Sequence, residues 1–453
     1  MGCGGSSAAA ASPYAQAQSM AQQARQTAGQ RADGARGHAQ SIAEQAKQTA
    51  SQGVDRAMDR AGLTGKSLDE WLATVSDRML EAKEETRRVL NEKTEQALSA
   101  SDDSLVNRLL DSAMASSVLG ESAPPALKQA ARRQGASQLR EAIASKDPKR
   151  LKGALVAARR LQATEVPEFE EAARKYREVR KLPEGWDVTR MVLHRQGSKM
   201  VAERDISDPE LRAQFQWLLD RTHRPVYTRD RRGEAIPERL ELVSVRAVEN
   251  DEMWGDYLAR REAIRQELLD AEFARYEVDT MAADDAAAAG GGPDSESAKS
   301  VAQRLAKGFA EPLLPEVNEV LLFHGTNPEA ARQITTKNFR LNLAGSNMGS
   351  LYGRGVYMCE NSTKADEYTQ ADANQERHML VCRALLGRVH YTDAKETDPR
   401  SCEDACLRGS HHSVLGDRRK CRGTFREFVV FDEAQIYPEY VIIYERSTRP
   451  PRS

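Results

Sequence analysis

Residues 425–444, "FREFVVFDEAQIYPEYVIIY", constrain the fold of this chain more than any other stretch. Phe425, Phe428, Val429, Val430 and Phe431 form a nearly continuous apolar run that suits a buried strand. Glu427 sits within the first run, where burying a carboxylate is costly. Alternation puts it on the face opposite Phe428.

The 453 residues are enough for two or three domains. Acidic and basic residues nearly cancel at a net charge of −2, so no global field argues for nucleic acid as a partner. No apolar run reaches the roughly 18 residues of a membrane span. The N-terminus lacks the apolar core of a secretory signal. Six cysteines without a regular framework suit a reducing compartment.

The opening "MGCGGS" fits the pattern for myristoylation on Gly2, and Cys3 follows where a palmitoyl chain can be added. One myristoyl chain gives only reversible binding, on the order of 10⁴ M⁻¹, and a second acyl chain makes the anchor stable. Acylation predicts a place on the cytoplasmic face of a membrane; without it, a nuclear location is the alternative. Alanine-rich segments beginning at Ala21, Ala32, Ala43 and Val54 then recur every 11 residues. That period keeps one helix stripe aligned with a slight right-handed drift. It resembles the repeats of desiccation-related and lipid-surface helices. The stripe is thin, and Gly34, Gly37 and Gly53 interrupt it, which favours a spacer over a membrane-surface helix. Residues 1–66 therefore read as an acylated, low-complexity tail.

From Ser67, "SLDE" reads as a capping box. Trp71, Leu72, Val75, Met79 and Leu80, and later Leu139, Ile143, Leu151, Leu155 and Leu161, recur at helical spacing. Pro148 after Asp147, and Pro167, mark helix starts. Residues 67–185 read as an all-helical module without convergent catalytic groups. Beyond it "DVTRMVLH" and "LELVSVRAV" read as strands, and "SDPELRAQFQWLL" as a helix capped by Asp208. The composition of residues 281–300 is that of a flexible insertion. Strands resume at "EVLLFHG", so the fold class is α+β.

Three pieces of the C-terminal third stand out. "LLFHGTN" is an apolar strand ending in His324-Gly325-Thr326. "GSLYGRGVYMCENSTKADEY" is a glycine-rich turn, a strand and a helix, with Tyr368 eleven residues after Tyr357. Glu427 in its strand is the third. Together "HGT", "YGRGVY", "ENSTKADEY", "MLVCRALLG", "HHSV" and "REFVVFDEAQIYPEYVIIY" resemble the catalytic domain of the poly(ADP-ribose) polymerase family, diphtheria-toxin-like ADP-ribosyltransferases. The tankyrase branch is the nearest likeness. The resemblance covers residues 195–446 and is densest from 320 onward. It implies a split antiparallel sheet around a cleft for NAD⁺ as co-substrate, with transfer of ADP-ribose to protein acceptors, automodification included, and release of nicotinamide.

The family's triad maps onto His324, Tyr357 and Glu427. The resemblance implies that Glu427 and His324 hold ribose hydroxyls, that Tyr357 and Tyr368 sandwich the nicotinamide, and that Gly325 offers its backbone to the carboxamide. Thr326 and Arg340 match positions near the adenosine end. The triad glutamate favours formation of poly(ADP-ribose) chains. Ala365 stands where the family usually has a serine bonded to the carboxamide, a loss of about 0.5–1.5 kcal/mol that bears on NAD⁺ affinity. The alternative is a weak or inactive NAD⁺- or ADP-ribose-binding module on a membrane-tethered scaffold. "TQADANQERH" lacks the cysteines of the tankyrase zinc motif, and Cys402, Cys406, His411, His412 and Cys421 do not have standard finger spacing, so no metal is expected. Activation by DNA breaks is not expected either, in the absence of a recognisable autoinhibitory helical domain or zinc fingers.

Overall fold

The computed structural model describes residues 68–115, 119, 123–193, 200–269, 312–341 and 351–447. Gly2, Cys3, the 11-residue repeat, Ser67 and the 281–300 insertion lie outside the described residues. The chain divides into two compact units, residues 1–92 and 93–453. Among the described residues no helix is long and apolar enough to cross a membrane.

Helices dominate the first half: α1 (Leu68–Ser99), α2 (Asp103–Ala115), α3 (Pro125–Ser145), α4 (Pro148–Arg160), α5 (Pro167–Arg180) and α6 (Val188–Leu193). Helices α3, α4 and α5 each begin at a proline, whose fixed φ suits the first turn and whose missing N–H costs nothing there. Asp147 caps α4 by accepting from the Arg150 amide at 2.7 Å. Leu139, Leu151, Leu155 and Leu161 are buried, as their spacing predicts. Residues 188–193 are helix where alternation predicts strand. Asp187 accepts from the Arg190 amide at 3.0 Å, and Val188, Met191 and Val192 share one buried helix face.

The second half is α+β. Strands β1 (Val201–Asp205), β2 (Arg239–Asn250), β3 (Glu319–Thr326), β5 (Arg377–Leu385) and β9 (Ile436–Ser447) form a five-stranded antiparallel sheet in the order β1-β2-β9-β5-β3. Strands β4 (Val356–Met358), β6 (Val389–Thr392), β7 (Ser413–Asp417) and β8 (Arg426–Val430) form the other, in the order β4-β8-β7-β6. Its β6–β7 pair is parallel, a departure from the all-antiparallel expectation. A return through helix α11 (Pro399–Leu407) makes that pairing possible. The remaining helices are α7 (Pro209–Thr222), α8 (Asp251–Leu269), α9 (Pro328–Lys337), α10 (Ser362–Asp366) and α12 (Arg418–Arg422). Asp208 caps α7, as its sequence predicts.

Both faces of the larger sheet are covered, which explains the unbroken "YVIIY". Tyr440, Ile442 and Tyr444 pack with Phe215, Leu218 and Leu219 of α7. Val441 and Ile443 face the other way, among Leu322, Leu380, Phe428 and Val430. A third cluster joins the helices to the sheet: Leu155, Phe169 and Tyr176 share it with Trp186, Trp254 and Tyr437. A small two-way bridge connects the sheets. Phe323 and Cys359 exchange backbone hydrogen bonds of 2.7 and 3.0 Å.

Candidate active site

The Phe323–Cys359 bridge sets the site's geometry, because His324 and Tyr357 flank it. The His324 Nδ1 lies 2.9 Å from the Tyr357 carbonyl oxygen. A carbonyl only accepts, so Nδ1 carries the proton and Nε2 keeps the ring's lone pair. Phe339 meets the imidazole edge-on at 5.0 Å. Burial pushes the His324 pKa below the ordinary histidine value despite that bond, which keeps the ring neutral near pH 7.

The glycine turn fixes Tyr357 from the other end. Its hydroxyl donates to the Gly353 carbonyl and accepts from the Tyr352 amide, both at 2.9 Å. The phenol is therefore a structural clasp, and the ring is what the side chain offers a ligand. In β4–β8, Tyr357 pairs with Val429, and Glu427 is two residues along on the same face.

Glu427 is only 9 % exposed and accepts no hydrogen bond from a described residue. Burial raises its pKa above the usual carboxylate value, and Lys364 opposes that rise from 3.7 Å. Helix α10 delivers Lys364 by packing tightly on β3. A Cβ on Gly325 would run into the Ala365 carbonyl. Here the glycine is needed for helix–strand approach, a reason beyond the carboxamide contact that the resemblance implies. The Lys364 ammonium lies 4.8 Å from the centre of the Tyr368 ring.

The structure thus brings His324, Gly325, Tyr357, Tyr368 and Glu427 to the junction of the two sheets. Thr326 ends β3, half-buried and paired with His378. Arg340 is exposed beyond α9 and makes no hydrogen bond or ion pair with a described residue. Sequence reasoning missed Lys364 and Asp230. Lys364 lies inside a quoted motif, but its burial shows only in the structure. Asp230 is in "TRDRRG", and nothing local marks it.

Among the described residues no group of three or more His, Cys, Asp or Glu side chains is arranged to hold a metal ion. His412 is a packing residue: Nε2 lies 2.7 Å from Glu267, and Nδ1 accepts from the Arg388 amide at 2.9 Å. Burial raises the pKa of Cys402 to about 11 and that of Cys406 to about 12, so neither thiol is poised to ionise.

Residues 226–446 match the poly(ADP-ribose) polymerase catalytic domain family. The "Protein mono-ADP-ribosyltransferase PARP12" of Mus musculus is 30 % identical over 145 residues, covering 30 % of this chain and 18 % of its own length. The "Protein mono-ADP-ribosyltransferase PARP11" of Homo sapiens is 30 % identical over 148 residues, covering 28 % and 42 %. The "Poly [ADP-ribose] polymerase tankyrase" of Caenorhabditis elegans is 24 % identical over 167 residues, covering 30 % and 7 %. The chain spans less than half the length of each of these relatives. The bridged sheets, the ordered motifs and this match agree: over residues 226–446 the chain is similar to the poly(ADP-ribose) polymerase catalytic domain family.

Proposed function

We propose that this chain is an NAD⁺-dependent ADP-ribosyltransferase that modifies proteins. The observation that carries the reading is Glu427: a nearly buried carboxylate without a hydrogen-bond donor among the described residues, on one sheet face with Tyr357. Cleaving the nicotinamide–ribose bond sends its electron pair onto the leaving nicotinamide and leaves positive charge at the anomeric carbon. A fixed carboxylate on a ribose hydroxyl stabilises that charge as it develops and holds the sugar in place. His324 Nε2 accepts from a second ribose hydroxyl, and the Tyr357 and Tyr368 rings stack on nicotinamide. A nucleophilic group of the acceptor protein then bonds to the anomeric carbon and passes its proton to water.

The test is incubation of the full chain with labelled NAD⁺. Label is expected to appear on protein and to fall by two orders of magnitude or more in Glu427→Gln, in line with losing one preorganised charge. Equal labelling by wild type and Glu427→Gln would falsify the assignment.

The finer proposal is that Glu427 also orients a ribose hydroxyl of an attached unit, so that chains grow. Two of the relatives above are named as mono-ADP-ribosyltransferases, which makes a single added unit the competing result. A gel of the automodified chain separates them: a ladder supports elongation, and one discrete band removes it. We further propose that acyl groups on Gly2 and Cys3 tether the enzyme to the cytoplasmic face of a membrane. Gly2→Ala is then expected to lose flotation with vesicles; undiminished flotation rules the anchor out.

A further inference from the structure

The loop between α7 and β2 lies outside both sheets, yet it is tied along α10. The Arg224 amide donates to Thr363 Oγ1 at 2.7 Å, and Thr228 Oγ1 to Glu367 at 2.8 Å. Arg231 is buried against Asp366 at 3.0 Å and donates to the Thr363 carbonyl at 2.8 Å. Those contacts suffice to anchor the loop. Asp230, half-buried between them, does something else: its Oδ2 accepts from Lys364 Nζ at 2.7 Å and from the Tyr368 hydroxyl at 3.0 Å.

Lys364 is the charge that competes for Glu427. Its ammonium meets Asp230 at 2.7 Å and Glu367 at 2.9 Å, whereas Glu427 is 3.7 Å away. The first two are hydrogen-bond distances and the third is not. An ammonium bonded directly to Glu427 would occupy an oxygen that the ribose needs. We propose that Asp230 is a positioning residue for the transfer reaction: it draws Lys364 away from Glu427 and pins the Tyr368 ring, so that the carboxylate stays open to substrate. This rests on the reading of Glu427 above.

The ionisable groups around Glu427 are Lys364 and Glu367 from α10 and the turn after it, Arg418 from α12, and Asp230 from the loop. Tyr352, Tyr357, Tyr368 and Cys359 also feel its charge, and burial keeps each of them protonated. Asp230→Asn removes one negative neighbour and releases Lys364 toward Glu427. Both changes favour the ionised carboxylate.

The experiment compares the full chain with Asp230→Asn and Asp230→Glu. In Asp230→Asn, kcat for ADP-ribose transfer is expected to fall about tenfold, the scale of one lost hydrogen bond to a charged group. The acid limb of the kcat profile is expected to move to lower pH, and Asp230→Glu to restore both. A purely structural Asp230 would lower stability or raise KM and leave the limb in place, which overturns the proposal. A second readout does not need turnover. In chain labelled with carboxyl-¹³C glutamate, Glu427→Gln identifies the Glu427 resonance. Its titration at lower pH in Asp230→Asn than in wild type supports the proposal, and an unchanged titration overturns it. Absence of transfer by the wild-type chain sinks the enzyme reading alone, and the resonance still decides the role of Asp230.

Discussion

At the scale of single residues, the site stores an unfavourable interaction. Glu427 is nearly buried, and its pKa is raised in the folded chain. Between its unfolded pKa and that raised value, the folded state binds more protons than the unfolded state. Stability therefore falls as pH rises through this window, and the penalty is fully present above it. Glu427→Gln is expected to raise Tm at pH 8, by about 2–4 °C for each kcal/mol regained, while transfer is lost. The gain should shrink toward zero as pH falls below the unfolded carboxylate pKa. Thermal scans at both ends of the range check this, and a gain equal at both ends contradicts it. Glu427 was legible because a carboxylate in an apolar strand has no packing reason to be there. Lys364 and Asp230 were not, since they meet across 134 residues of sequence and no local pattern encodes that pairing.

At the scale of elements, the close approach of α10 to β3 deserves a direct probe. Gly325→Ala places a methyl group against the Ala365 carbonyl. The backbone must shift, at a cost of about 1–3 kcal/mol, and Lys364 and Tyr368 shift with it. A lower urea midpoint with an unchanged slope is expected, and an unaltered midpoint would show that the helix yields freely. The strand ending "FHGT" was readable from its apolar run and its terminal His-Gly. The short helix at 188–193 was not, because six residues make fewer than two turns and Val-rich segments read equally well as strand. The parallel β6–β7 pair was hidden for a related reason: four residues of strand carry no sign of their partner's direction.

At the scale of the whole molecule, helices α3 to α6 and the sheet after residue 200 share one hydrophobic cluster. Trp254 packs against Trp186 at 5.8 Å and Tyr437 at 5.1 Å, and its indole donates to the Lys181 carbonyl. Charge is shared in the same way. Asp251 accepts from Tyr176 at 2.6 Å and from Lys152 at 3.1 Å, and Glu249 accepts from Arg190 at 3.1 Å. A chain beginning at residue 200 would leave these carboxylates without the helical donors and expose the aromatic cluster. It is expected to lose cooperative unfolding, whereas one beginning at residue 93 keeps it. Circular dichroism during urea titration distinguishes the two, and a sharp transition in the shorter chain contradicts the expectation. The helical stripes were legible one by one; their common core with the sheet was not, because periodicity reports which face is apolar and not what covers it.

The two peptide hydrogen bonds between Phe323 and Cys359 have a consequence for how such a groove diversifies. They belong to the main chain, so nearly every substitution at those positions leaves them intact. Jaw separation is thereby decoupled from the identity of the lining. A lineage can exchange its contact residues and adopt new targets while the gap beside the imidazole keeps a constant width, and proline at either position is the one replacement that would break the hinge pin.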